Sequence, residues 1–339
     1  MNDVINVGLI GYGYWGPNLA RNLAETDGLE LVAIADCRAD RRDAAVRRHR
    51  GIRTCGEGES LIALDDVHAI VIATPLETHY PFAKAAIERG KHVLVEKPFV
   101  GSRAHAEALG ALAETHDVRL MVDHTFVYNG AVRRIRSLID SGDLGDLLYL
   151  DSVRVNLGLL QQDSNVIWDL AAHDLSIMDY LIDARPVSVS AEGTAAAGFD
   201  HENVAYVTVR FDNGFLAHFH VNWLAPVKMR QMLIGGSQRM VVYDDTDPGE
   251  KVRVYDKGVD VDVKDRETRR QILVSYRTGD MYAPKFDRRE ALSLVTEEFA
   301  RAIAERRAPL TDAAAGIRVV TLLDAAQRSL RANGQRIPL

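Results

Sequence analysis

The apolar run Ile5–Ile10 passes directly into Gly11-Tyr12-Gly13-Tyr14-Trp15-Gly16-Pro17, a strand-like segment feeding a GxGxxG turn, and few folds accommodate that junction. In it the first glycine permits the tight turn and the second lets the backbone approach a pyrophosphate. The third lets helix and strand pack closely, with the helix N-terminus facing the phosphates. Pro17 suits a first helical turn. The spacing alone is weak evidence, because a tight turn can produce it by chance. Here the setting is present: Asp36 stands 20 residues after Gly16, at the end of the second apolar run. A carboxylate there can accept hydrogen bonds from the adenosine ribose hydroxyls and repels a 2′-phosphate, which favours NAD over NADP. Arg38 and Arg41 follow closely enough to leave NADP open, and a solvated strand-end turn is the alternative role for Asp36.

Up to about Asp123 the chain alternates β-rich runs (Ile5–Ile10, Leu31–Ala35, Ala69–Ala73, His92–Glu96, Leu120–Val122) with helix-like segments. Those segments are Asn18–Glu25, His79–Arg89, with Gly90 placed to end it, and Ser102–His116. Continuous apolar strands imply burial on both faces, so the rhythm predicts an α/β domain, a Rossmann doubly wound parallel sheet over residues 1–123. Beyond it, over residues 124–339, the order changes. Helical Ala131–Ser141 leads to a β run Leu147–Asn156, a helix Ile167–Leu181, and then several β runs between Val187 and Tyr255. Asp212-Asn213-Gly214 marks a hairpin between Val204–Phe211 and Phe215–Asn222. The expectation is an α+β domain with a mainly antiparallel open sheet, followed by helices Arg289–Glu305 and Ala313–Arg331. An open apolar sheet face calls for cover, which predicts a homodimer or homotetramer.

Composition narrows the partners. The 339 residues are 47% hydrophobic and 26% charged with a net charge of −7, and the longest basic stretch is Arg47–Arg50, so nucleic acid is not expected. Cys37 and Cys55 are the only cysteines, too few for a disulfide framework or a cysteine zinc site. The apolar runs fall far short of the roughly 18 residues of a membrane span, and the first residues show no basic segment followed by an export core. A cytoplasmic location, no membrane and no metal are the expectations.

At the ends of later strands stand Ala73-Thr74-Pro75 followed by His79, and Val95-Glu96-Lys97-Pro98. Ligands of open α/β sheets bind at such carboxyl ends. Oxidising an alcohol by hydride removal requires its oxygen to lose a proton, and a lysine partly desolvated beside a cationic nicotinamide can take it. A solvated lysine in a turn before proline explains Lys97 equally well. Asp169 and His173, four apart, share one face of a predicted helix, which is also the spacing of an ordinary structural pair. Tyr12, Tyr14 and Trp15 can line the cofactor crevice or cover the sheet end. His79 can approach the nicotinamide or cap a helix.

Taken together, GYGYWG after the first strand, ATP with His79, the EKP triplet and Asp169-Leu170-Ala171-Ala172-His173 resemble the Gfo/Idh/MocA oxidoreductases over nearly the whole chain. The resemblance implies Lys97, Asp169 and His173 as the catalytic residues beside the nicotinamide, with these three and Asn129 touching the substrate. It implies a cofactor site built from Gly11, Gly13, Tyr14, Trp15, Gly16, Asp36, Cys37, Thr74, Pro75, His79, Glu96 and Lys97. GYGYWGPNLARN and WDLAAHDLSIMDYL look most like the nucleotide-sugar branch, which includes dehydrogenases of C3 of UDP-N-acetylglucosamine and keto-sugar reductases. Many members carry an arginine before the Phe/Tyr-Asn pair, whereas Val127 precedes Tyr128-Asn129 here. Arg154, Asn156 and Arg230 are further candidates for an anionic substrate, or surface and core-edge residues. The implied activity is hydride transfer between a sugar alcohol and NAD. Its rivals are an NADPH-dependent keto-sugar reductase, a free aldose or inositol dehydrogenase, and an NAD(H)-binding sensor without chemistry.

Overall fold

The computed structural model describes residues 4–158, 164–261 and 274–339. Two compact units emerge, residues 1–128 with 289–324, and residues 129–288 with 325–339. The reading by residue order placed one cut at 123, because the return of a distant helical segment to the first unit leaves no local pattern.

In the first unit the elements run β1 (Ile5–Ile10), α1 (Gly16–Glu25), β2 (Leu29–Ala35), α2 (Ala39–Arg48), β3 (Arg53–Cys55), α3 (Gly58–Ile62), β4 (Ala69–Ile72), α4 (Leu76–Glu88), β5 (His92–Glu96), α5 (Arg103–Thr115) and β6 (Leu120–Asp123). The six strands form one parallel sheet in the order β3-β2-β1-β4-β5-β6, the doubly wound arrangement. β1, β4, β5 and β6 are buried almost throughout, as their unbroken apolar sequences require. The strand order reverses between β1 and β4, so their carboxyl ends flank the crevice where such sheets bind ligands. Gly90, at φ 71°, ends the α4 segment with its N–H donating to Ile87 O at 2.8 Å. The segment returning to this unit docks on β6, where Val122 N donates to Thr311 O at 2.8 Å.

The second unit holds α6 (Gly130–Asp140), β7 (Leu147–Leu157), a π-helical turn at Ile167–Ala171, α7 (Ala172–Leu181), β8 (Pro186–Thr194), β9 (Val204–Phe211), β10 (Leu216–Asn222), β11 (Leu224–Gly236), β12 (Met240–Asp244), β13 (Val252–Val261) and β14 (Val274–Tyr282). Its nine-stranded sheet includes a short C-terminal strand Ile337–Pro338, and every pairing is antiparallel except β7 with β10. Gly214, at φ 88°, makes the predicted β9–β10 hairpin. Along β9 and β10 every second residue (Ala205, Val207, Val209; Ala217, Phe219, Val221) is buried, so the sheet has one core face. Among the described residues no helix is long and apolar enough to cross a membrane.

Candidate active site

The glycine turn is dictated by space. Gly11 has φ 96°, and a Cβ there would lie 2.4 Å from Ala73 O; one at Gly16 would lie 2.4 Å from Gly11 O. A Cβ on Gly13, by contrast, would meet only Arg38 Nη2, at 3.9 Å, so that backbone faces open space. The space is a cavity of about 600 Å³ bounded by Gly11, Gly13, Asp36, Cys37, Arg38, Thr74 and Pro75, with Gly56–Glu59 and Phe82 at its far wall. No side chain caps the N-terminus of α1, whose Asn18 and Leu19 N–H groups turn back to Trp15 O at 2.9 and 3.1 Å, so a phosphate there would meet the positive end of the helix. A cradle that a Cβ would fill, beside an uncapped helix start, fits a dinucleotide pyrophosphate.

Asp36 is only 9% exposed and braces the turn: its Oδ2 accepts from Tyr12 N at 2.8 Å and its Oδ1 from Arg38 N at 2.9 Å. A carboxylate oxygen accepts more than one hydrogen bond, so capacity for ribose hydroxyls is retained. Arg38 Nε lies 3.6 Å from Oδ1, with its side chain half-exposed at the cavity. Tyr12 is buried and meets His49 edge-on at 6.4 Å, so it covers the sheet end. Tyr14 and Trp15 are exposed, and their rings meet each other edge to face at 5.5 Å. Cys37 is exposed.

His79 neither caps a helix nor lies open to the cavity. It is buried within α4, with Nε2 2.8 Å from Thr74 O and Nδ1 2.9 Å from Pro98 O, and so ties the Thr74 loop to the loop after β5. Burial lowers its pKa below the ordinary imidazole value. Sequence reading placed this histidine at the site but not its double attachment, which depends on two carbonyls from separate loops.

Lys97 follows β5, and its backbone N–H donates to Glu96 Oε2 at 3.1 Å. Glu96 and Asp123 are register partners on β5 and β6. Asp123 Oδ1 also accepts from Thr125 Oγ1 at 2.6 Å. Burial, then the neighbouring Asp123, pushes the Glu96 carboxyl well above the carboxylate range; burial pushes Asp123 up to about 6. His124, buried and beside Lys97 and Arg318, is pulled down to about 3, first by burial and then by those cations, and stays neutral. Asp123 and His124 carried no motif in the sequence; only the apolar strand running straight into two ionisable residues could have marked them.

In the second unit the predicted helix Ile167–Leu181 opens as the π-helical turn, a local irregularity that recurs at functional positions. Asn165 Oδ1 accepts from Ile167 N and Trp168 N at 3.2 and 3.3 Å and anchors its start. Asp169 lies in this turn, its Oδ2 accepting from the indole Nε1 of Trp223 at 3.1 Å; His173 follows in the first turn of α7. Trp223, 2% exposed at the β10–β11 junction, escaped the sequence reading, although a buried indole N–H needs an acceptor. Asn129 caps α6, its Oδ1 accepting from Ala131 N at 2.9 Å. Arg154, which the sequence left open between an anionic-substrate contact and a core-edge role, takes the second: it is 3% exposed and paired with buried Asp174, Nε to Oδ1 at 2.8 Å, because a guanidinium in a core requires a carboxylate. Arg230 pairs with Asp245 at 3.3 Å, and Asn156 sits near the end of β7. Among the described residues no cluster of three or more His, Cys, Asp or Glu could hold a metal ion.

An uncapped helix start and an acid-braced glycine turn at the switch point of a parallel sheet define an NAD-binding oxidoreductase domain. Residues 5–124 match the model of the oxidoreductase family with an NAD-binding Rossmann fold, and residues 132–243 match the GFO/IDH/MocA C-terminal domain. The chain belongs to the Gfo/Idh/MocA oxidoreductase family, and its cofactor is NAD. It is 30% identical over 267 residues to the uncharacterized oxidoreductase YdgJ of Escherichia coli, covering 74% of each chain. It is 28% identical over 322 residues to the UDP-N-acetylglucosamine 3-dehydrogenase of Acidithiobacillus ferrooxidans, covering 93% of this chain and 94% of that one. A solved structure of that dehydrogenase superposes with a TM-score of 0.80 at 27% identity over 98% of this chain and 99% of the other.

Proposed function

We propose that this oxidoreductase removes hydride from a secondary alcohol of a nucleotide sugar, C3 of UDP-N-acetylglucosamine being the first candidate. NAD supplies the hydride acceptor when bound. Lys97, in its neutral form, receives the hydroxyl proton as the C–H electron pair departs and the carbon becomes a ketone, and later releases that proton to water. Asp169, held by Trp223, orients the reacting group; His173 binds the hydroxyl and can relay its proton; Asn129 adds a substrate hydrogen bond. Gly11, Gly13 and Gly16 seat the pyrophosphate, Asp36 the adenosine ribose, and Cys37, Thr74 and Pro75 line the same cavity. Tyr14 and Trp15 border it, His79 holds its loop, and Glu96 lies beside the nicotinamide end with Lys97. In this division the first unit binds cofactor, and the second binds substrate and associates.

The observation that carries the reading is Lys97 directly after the carboxyl end of β5, the end at which a doubly wound sheet binds its ligands, with its backbone N–H donating to Glu96 Oε2. The substrate class rests on the likeness to the 3-dehydrogenase over nearly the full chain. The test presents the purified protein with NAD and a panel of UDP-N-acetylglucosamine, its uronic acid derivative, aldoses and inositols. NADH should form with the nucleotide sugars, and Lys97→Ala should abolish it, by about 10²–10⁴-fold, while NAD still binds. Faster turnover of a free sugar or inositol would overturn the substrate class. Arg38, half-exposed at the cavity, favours one second reading, an NADPH-dependent keto-sugar reductase, which would show as a preference for NADPH with keto-sugar substrates.

We also infer a homodimer or homotetramer. The outer face of the second unit's sheet carries Tyr206, 45% exposed, and Leu233, 41% exposed, on strands whose alternate residues are buried. Light scattering that returned a monomer mass would contradict it. The free thiols of Cys37 and Cys55 support a reducing, cytoplasmic setting.

A further inference from the structure

Asp169 sits in a π-helical turn whose start is fixed by residues far from it in sequence. Asn165, 4% exposed just before the turn, uses both ends of its side-chain amide. Its Oδ1 accepts from Ile167 N and Trp168 N, and its backbone O accepts from Asp169 N at 3.2 Å. Its Nδ2 donates to Glu202 Oε2 and to Gln327 Oε1, both at 2.9 Å. The same Gln327 oxygen accepts a second bond, from the indole Nε1 of buried Trp168 at 3.2 Å. Glu202 lies between β8 and β9, and its backbone O also accepts from Val166 N at 2.9 Å. Gln327 lies 162 residues beyond Asn165, on the last helix, Ala313–Arg331, within the part that belongs to the second unit. The first N–H groups of a helix have no partner inside it, so the group that accepts from them sets where the turn stands. Asn165 is that group, and an amide bonded at both ends is not free to rotate.

We propose that Gln327 is a positioning residue for Asp169: its carbonyl oxygen, together with the Glu202 carboxylate, locks the Asn165 side chain, and Asn165 sets the π-helical turn and with it the aim of the Asp169 carboxylate. A π-helical turn is a rare geometry and persists where its surroundings hold it. Without the Gln327 acceptor, Trp168 and Asn165 each lose a bond, the Asn165 amide can turn, and the donors at Ile167 and Trp168 lose their fixed partner. The Asp169 carboxylate then drifts from the Trp223 indole N–H, which it now meets at 3.1 Å. Gln327 acts through Asn165 and Trp168, so the last helix joins the parts of the chain on which the reaction depends. The inference rests on the reading of Asp169 as the group that orients the substrate.

Its test reads the turn without substrate. The chain has three tryptophans, so nuclear magnetic resonance of protein labelled at the indole nitrogens shows three N–H signals, and that of Trp223 reports the bond Asp169 accepts. Trp223→Phe assigns the signal, and Asp169→Ala gives its solvent-exchange rate with the bond gone. Gln327→Met keeps the length of the side chain and removes the amide. Each lost bond is worth a factor of roughly 3–10 in an opening equilibrium, so the Trp223 N–H should exchange about tenfold faster than in the wild type. Val207→Ala truncates a buried side chain of β9 and destabilises the same unit; it should leave the Trp223 rate within about twofold. A Trp223 rate unchanged in Gln327→Met, or raised as much in Val207→Ala, would overturn the inference. If Gln327→Met does not fold, Glu202→Met releases the same Asn165 nitrogen from its other acceptor, and the same two results decide. A chain that oxidised no nucleotide sugar could still show the exchange difference, which separates this failure from that of the proposed substrate. With an active substrate, Gln327→Met should lower kcat about tenfold and leave KM and NAD affinity within about twofold; faster exchange with an unchanged kcat would overturn the positioning role.

Discussion

The glycine turn of the first unit and the π-helical turn of the second both place functional groups, but by different physics. At the turn, backbone does the placing: Gly11 and Gly16 each leave no room for a Cβ against a carbonyl, and Asp36 is fixed by two backbone amides. Around Asp169, side chains from separate segments do it: Asn165 anchors the turn and Trp223 holds the carboxylate. A backbone constraint admits one residue type and writes itself into the sequence as a motif. A side-chain constraint admits any donor of the right reach and leaves little trace.

The largest effect that would sharpen the contrast lies within the turn itself. Gly11→Ala puts a side chain at φ 96° and 2.4 Å from a backbone oxygen, so the variant should lose about 3 kcal/mol or more of stability, read as a fall in melting temperature. Gly13→Ala meets nothing in the chain closer than 3.9 Å, so it should melt with the wild type yet bind NAD about tenfold or more weakly. If Gly13→Ala melted early and bound NAD normally, the open space above Gly13 would not be the pyrophosphate seat.

The same division explains what could be read before the structure was known. The parallel sheet was legible because β1, β4, β5 and β6 are unbroken apolar runs, and the β9–β10 hairpin because Asn213-Gly214 demands a positive φ. β3, only three residues long and with two of them exposed, had no apolar signal to offer. The return of residues 289–324 to the first unit depends on contacts such as Thr311 with Val122, 189 residues apart, which no local window contains. Among the residues proposed for catalysis, Lys97, Asp169 and His173 stood out by motif, whereas Asp123 and Trp223 beside them in their own units did not. Asp123 matters through a register partner on another strand, and Trp223 through an acceptor 54 residues away. Arg154 shows why residue type alone leaves a role open: a cation in a strand suits an anionic ligand or a core edge until burial reveals Asp174 beside it.

A smaller effect tests the second half of the contrast. Trp223→Phe keeps the ring in its buried slot and removes only the N–H that Asp169 accepts. A hydrogen bond to a charged group contributes about 1.5–3 kcal/mol, part of which is recovered if water replaces the donor. In the proposed reaction the expected loss is therefore about tenfold in kcat, since 1.36 kcal/mol of barrier corresponds to a factor of ten. NAD affinity, set by the glycine turn, should stay at the wild-type value. An unchanged kcat would mean that the π-helical turn alone aims Asp169, and the two regions would then differ less than their sequences suggest. A parallel loss of NAD affinity would couple them, contradicting the separation between a backbone-built cofactor seat and a side-chain-built catalytic one.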